Sequence, residues 1–250
     1  MWLASNPDKA RTERFILWYS PVWIAAMAAV MLSGWFEVWS DPAYLAFGLA
    51  LVAAPAGFAL KHRGYALKLN LFVAIFSFIG NFIYTHYFFD YLGMHYAFPT
   101  SWNLQAREIG HSAQTVPVFL YLLTHAYFLT YHVVMVVLLR KAKQTAFGRT
   151  LAGTIVSVAL LAYVIAFAET FGMATPQLAH WFNYADRTRM LTIGSVFYGT
   201  YFVSTLPFVF RIDEGDERWT FGRVAVEAFA AGMIALLLLE LCVVLIGRIA

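Results

Sequence analysis

Charge is what this chain most lacks. Acidic and basic side chains make up only 12% of its 250 residues, about half of the roughly one quarter that a water-soluble domain carries. Water cannot be the main solvent of such a chain, and its 61% of hydrophobic residues point to lipid. The net charge of +3 is small and its cations are scattered, which excludes the concentrated basic stripe of a nucleic-acid interface. Cysteine is nearly absent. Cys242 stands alone in an apolar run, so it forms no internal disulfide and reads as a small packed hydrophobe. Close-set histidine clusters are missing as well. His125 and His132 share a helical stripe, but no matching histidine pair on a second run supports a haem or metal site, and neutral histidines also serve as buried hydrogen-bonding groups or proton carriers. The last apolar run has no lysine, which excludes a retinal Schiff base there.

What the chain does have is apolar length. A bilayer core of about 30 Å takes roughly 17 to 25 helical residues, and apolar runs of that order lie near 15–36, 43–60, 67–91, 116–139, 151–173, 189–210 and 224–246. The second is interrupted by Pro55 and Gly57. The first is too long for a signal peptide and has no small-residue cleavage site, so it reads as a retained anchor. Cations test the count, because cytoplasmic loops accumulate them. Lys9, Arg11 and Arg14, then Lys61, Arg63 and Lys68, then Arg140, Lys141, Lys143 and Arg149, then Arg211, Arg218 and Arg223 fall on alternate connections, 13 of the 17 cations. Only Arg107, Arg187, Arg189 and Arg248 fall on the other side. The expected architecture is an all-α polytopic membrane protein. It is a bundle of about seven transmembrane helices with the N-terminus cytoplasmic, one domain over 1–250. The one long connection, 92–115, mixes Tyr96, Phe98, Pro99 and Trp102 with polar residues; it suits either a cap over a cavity or an aromatic belt at the interface.

Ionisable groups at bilayer depth cost several kcal/mol unless paired or hydrated, so each is a candidate for function. Span three carries Asn70, Ser77, Asn81 and Thr85 on one face, followed by His86; interhelical hydrogen bonding is the plainer reading of most of them. Span five carries Glu169 among Tyr163, Phe167 and Phe171. A carboxyl in such dry surroundings can stay protonated at neutral pH and act as an acid, unless a histidine or arginine of another helix pairs with it. Glu240 and Glu227 in span seven pose the same choice. The direction of each span places His86, His125, Glu169 and Glu240 toward the non-cytoplasmic half, with Asp186 and Arg187 at their rim. Asn70, His132, Asp213, Glu214 and Arg223 form a second polar group near the cytoplasm. The outer group, which joins a buried acid to two histidines, is the favoured site.

At these residues the chain resembles the cycloeucalenol cycloisomerase family. The resemblance is carried by NPDKARTE near the N-terminus, GNFIYTHYF from Gly80 to Phe88, LTH from Leu123 to His125, and YH at Tyr131 and His132. It continues through AET from Ala168 to Thr170, DR at Asp186 and Arg187, SVFYGTYFVSTLP from Ser195 to Pro207, RIDE from Arg211 to Glu214, and RVAVEA from Arg223 to Ala228. These motifs run in matching order over nearly the whole chain. At Glu227 and Glu240 the family has aspartate, and the connections before spans three and four differ in length.

The resemblance implies a sterol isomerase that opens the 9,19-cyclopropane ring of cyclosterols by protonation and proton loss, giving an 8,9-unsaturated sterol. It implies no redox cofactor and no metal. Glu169 is then the expected acid, with His125 or His86 as proton partner and Asp186 as a positioning group. Asn81, Thr85, Tyr163, Tyr198, Tyr201 and Glu240 are the expected substrate contacts. A sterol and membrane lipids are the expected partners. The alternative from another class is a sterol- or lipid-binding transport protein that uses the same cavity without chemistry. The absence of a plant-like N-terminal extension points to a bacterial inner membrane, with the endoplasmic reticulum as the setting in a eukaryote.

Overall fold

The first helix begins well before its apolar run. In the computed structural model, which describes residues 2–107 and 109–249, α1 spans Pro7–Leu32, eight residues ahead of the expected start at 15. Local chemistry sets that start: the Asn6 side chain accepts from the amide of Asp8 at 3.1 Å, Pro7 occupies the first turn and Asp8 supplies an anion there, all of which favour a helix N-terminus. The other long helices are α2 (Asp41–His62), α3 (Gly64–Leu92), α4 (Val118–Ala142), α5 (Leu151–Met173), α6 (Arg187–Arg211) and α7 (Phe221–Ile246). Their bounds fall within a few residues of the apolar runs. Helix α2 passes through Pro55 and Gly57 without a break. This is an all-α polytopic membrane fold with seven helices long and apolar enough to span a bilayer among the described residues.

Burial tells the central helices from the peripheral ones. Two thirds of the most apolar window of α4 and of α6 is buried, 67% in each, against 22% in α5 and in α7. Helix α4 is the hub, packed on α1, α2, α3, α5 and α6, while α6 lies between α5 and α7, and α7 returns to α3. The outer faces of α5 and α7 expose Leu160, Val164, Leu237 and Val244. Such a surface is costly in water and suits lipid tails.

The four cation-rich segments meet at one face, as their alternation requires. Arg140 forms an ion pair with Glu13 at 2.7 Å and with Glu214 at 2.9 Å, Lys9 pairs with Glu214 at 2.8 Å, and Lys68 pairs with Asp213 at 2.7 Å. Lys9 also donates to the carbonyls of Phe210 and Ile212 at 2.8 and 2.7 Å. Lys9 and Glu13 are fully buried, so this network ties α1, α4 and the turn after α6 together where the apolar stripes end. Burial alone would raise the Glu214 carboxyl, but hydrogen bonds from Arg140 and the charge of Lys9 outweigh it and hold the group below the usual carboxylate range. The second polar group expected near the N-terminal face is thus only partly assembled, because His132 lies elsewhere, satisfied by Phe128 O at 2.7 Å and Thr205 Oγ1 at 2.8 Å.

At the opposite face two connections build a small roof. Strand β1 (Met94–Tyr96) pairs antiparallel with β4 (Phe182–Tyr184), and β2 (Asn103–Leu104) pairs with β3 (Val116–Pro117). The carboxylate of Asp41 pins the same roof by accepting from the hydroxyls of Thr100 and Ser101.

Candidate active site

Beneath that roof lies a cavity whose empty space, open mouth included, is about 860 Å³. Helix α1 gives it Trp23 and Met27; α5 gives Glu169 and Met173; α6 gives Tyr198 and Tyr201. Met94, Tyr96, Phe98, Phe182 and Tyr184 close it from the roof. The long connection therefore caps a cavity and does not form a belt at the membrane surface. Burial pushes the Tyr96 and Tyr184 hydroxyls far above their ordinary value, so both remain neutral hydrogen-bonding groups.

Local backbone chemistry brings the α3 side chains in. Residues Gly80–Tyr84 form a π-turn, the wider turn that often marks functional sites. Asn81 lies within it, and Thr85 just after donates back to the Gly80 carbonyl at 3.1 Å. On α4, Leu120, Leu123, Thr124, Tyr127, Phe128 and Tyr131 recur at steps of three and four and face the cavity as one stripe. A second π-turn, Met190–Gly194, precedes the segment of α6 that carries Tyr198 and Tyr201.

Among the described residues, Glu169 is the only acidic residue lining the cavity, and no lysine, arginine or histidine lines it. Its carboxyl accepts a hydrogen bond from the Tyr198 hydroxyl, and Tyr131 interacts with the same group. With no cation beside it, an ionised carboxylate has only these neutral donors for compensation. In its acid form the group can pass a proton to a ligand. Around it stand aromatic faces in edge-on and tilted pairs: Phe88 and Tyr198 at 5.5 Å, Tyr127 and Tyr131 at 5.4 Å, Tyr198 and Tyr201 at 5.3 Å. Such faces accommodate a flat apolar molecule and stabilise a transient cation.

Of the residues expected from sequence, the cavity gathers Glu169, Asn81, Thr85, Tyr198 and Tyr201. The others lie elsewhere. His125 Nε2 sits 3.1 Å from Asn70 Oδ1, joining two residues that the topology had assigned to different halves. Fully buried His86 accepts from the Ala106 amide at 3.3 Å, under the roof connection. Asp186 caps the start of α6 by accepting from the Arg189 amide at 2.9 Å. Tyr163 stacks on Phe167 along α5. Glu240 is exposed and lines a separate polar pocket with Tyr87, Asp90 and His111. Sequence reasoning did not single out Tyr127, and Thr124 and Tyr131 entered it only within the LTH and YH motifs. The signal that finds all three is their spacing on one face of α4 together with Leu120 and Leu123.

Among the described residues, seven apolar helices around a roofed aromatic cavity with a single lining carboxyl define a polytopic membrane protein with an internal, largely apolar cavity. Comparison with known proteins sharpens this class. The chain is 33% identical to the cycloeucalenol cycloisomerase of Arabidopsis thaliana over 269 aligned positions, covering all of this chain and 90% of that relative. No protein-family model and no solved structure matches it. The chain belongs to the cycloeucalenol cycloisomerase family, and it is an integral-membrane isomerase.

Proposed function

We propose that the protein opens the 9,19-cyclopropane ring of a cyclosterol to give the 8,9-unsaturated isomer. The observation that carries this reading is the carboxyl of Glu169, the single one lining the cavity among the described residues, held by Tyr198 in largely apolar, aromatic surroundings. Glu169 gives its proton to the cyclopropane methylene. The bond from that carbon to C9 breaks, the methylene becomes a methyl group, and positive charge appears at C9. Loss of the proton on C8 then forms the 8,9 double bond. The carboxylate left on Glu169 is the base nearest at hand, since neither His86 nor His125 lines the cavity, and taking up the C8 proton restores the acid. Tyr198 keeps the carboxyl aimed throughout. The surrounding rings lower the energy of the cation and exclude water that would trap it.

The test is incubation of the purified protein in detergent with a 9,19-cyclosterol, followed by gas chromatography and mass spectrometry. The reading requires a product of unchanged mass with an 8,9 double bond. Tight binding of the sterol without any isomer would make the protein a carrier instead. Within the same assay Tyr198→Phe is expected to slow turnover by about 10- to 100-fold, the worth of one hydrogen bond to a group that becomes charged. Product identity should be unchanged, and a full rate in this variant would remove Tyr198 from the reaction.

A further inference from the structure

Besides the acid, the cavity has a neutral polar patch where α3 meets α4. On the cavity face of α4, Thr124 Oγ1 and the Tyr127 hydroxyl lie 2.9 Å apart, and Thr124 also reaches Asn81 Oδ1 at 3.4 Å. The Asn81 amide nitrogen is already committed to the Ser77 carbonyl at 2.9 Å. Its oxygen, with only one long contact, keeps acceptor capacity directed into the cavity, and the paired hydroxyls keep a donor or an acceptor site according to how their hydrogens are set. A group that both donates and accepts one hydrogen bond fits this patch, which is the chemistry of an alcohol. Because no cation among the described residues lines the cavity, a sulfate, phosphate or carboxylate head would find no counter-charge from them.

Spacing relates the patch to the acid. Thr124, Tyr127 and Tyr131 occupy one stripe of α4, and at 1.5 Å per residue Tyr127 lies about 6 Å and Thr124 about 10 Å from Tyr131 along the axis. On α4 the Tyr131 hydroxyl is the one that hydrogen-bonds with Glu169, while Tyr127 is close enough to feel its charge. In a 9,19-cyclosterol the ring-A hydroxyl and the cyclopropane methylene are separated by one six-membered ring and two single bonds of about 1.5 Å, roughly 5 Å in all. With a hydrogen bond of about 3 Å at the hydroxyl end, the patch and the acid are spaced to engage the two ends of the A/B ring system at once.

We infer that Asn81, Thr124 and Tyr127 are the residues that bind the ring-A hydroxyl of the substrate. This rests on the isomerase reading above. The test compares initial rates of full-length wild type, Thr124→Val and Tyr127→Phe on a 9,19-cyclosterol with a free 3-hydroxyl and on its 3-deoxy analogue. Wild type is expected to favour the hydroxyl sterol by about tenfold or more in kcat/KM, because a site built for a hydroxyl is left unpaired by the analogue. Each variant should bring that ratio toward unity, through a higher KM for the hydroxyl sterol and a kcat/KM on the deoxy compound no lower than that of wild type. That second rate also reports that the variant is folded. Equal wild-type rates on both sterols, or variants that keep the wild-type ratio, would overturn the subsite and leave the isomerase standing. Conversion of neither sterol by wild type would overturn the isomerase reading and this subsite with it.

Discussion

Replacing Glu169 by glutamine is expected to lower cyclosterol isomerisation by about 10²- to 10⁴-fold, the usual worth of a positioned general acid. Glutamine has the same length and its amide oxygen can still accept from Tyr198, so the cavity should keep its shape and its affinity for sterol. What it lacks is a transferable proton. Sterol binding measured beside turnover separates loss of chemistry from loss of folding. The same substitution at Glu240, which lies in another pocket, and Asp186→Asn, at a helix cap, should leave turnover close to wild type. Full activity in Glu169→Gln with loss at either of those positions would move the acid out of the cavity described here.

The second large effect concerns folding. Arg140→Met removes both ion pairs of Arg140 at once and leaves Glu13, fully buried, without its hydrogen-bonded cation. Breaking a buried pair in this way typically costs about 3–5 kcal/mol. A lower thermal midpoint in detergent should report it, while Lys141→Met, at the exposed neighbouring position, should change the midpoint little. The network also predicts an acid limit. The Glu214 carboxyl is held below its ordinary range in the folded protein, so its contribution is present above the unfolded value and is lost as pH falls through the folded one. Stability that is unchanged through the acid range, or an Arg140→Met protein as stable as wild type, would show that the network does not hold the N-terminal face together.

Much of the fold was legible because the bilayer imposes a simple rule on sequence. Seven apolar runs and the alternation of cations predict the spans, and six of the seven helices start within a few residues of their runs. Helix α1 departs because Lys9 and Glu13 look like loop residues until their partners, Glu214 and Arg140, are brought across from distant segments. Such pairing is long-range and leaves no local signal. The same holds for the site. Glu169 stood out because a carboxyl among aromatic residues is rare at any depth. The histidines share a similar depth with it along the chain, but depth does not tell which way a side chain faces. His86 turns to the roof connection and His125 to Asn70. The tyrosines that do surround the acid read as ordinary aromatic residues of an apolar span, and only the packing of α4 and α6 around one cavity distinguishes them.

The origin of the proton tests the central claim most directly. Wild-type protein equilibrated in D₂O and held in excess over a 9,19-cyclosterol allows one turnover, and mass spectrometry locates the label in the product. A carboxyl that exchanges with solvent and then protonates the ring predicts one deuterium in the newly formed methyl group of the 8,9-unsaturated sterol. An isomer that carries no deuterium, its methyl hydrogen drawn from the substrate itself, would contradict the assignment of Glu169 as the acid.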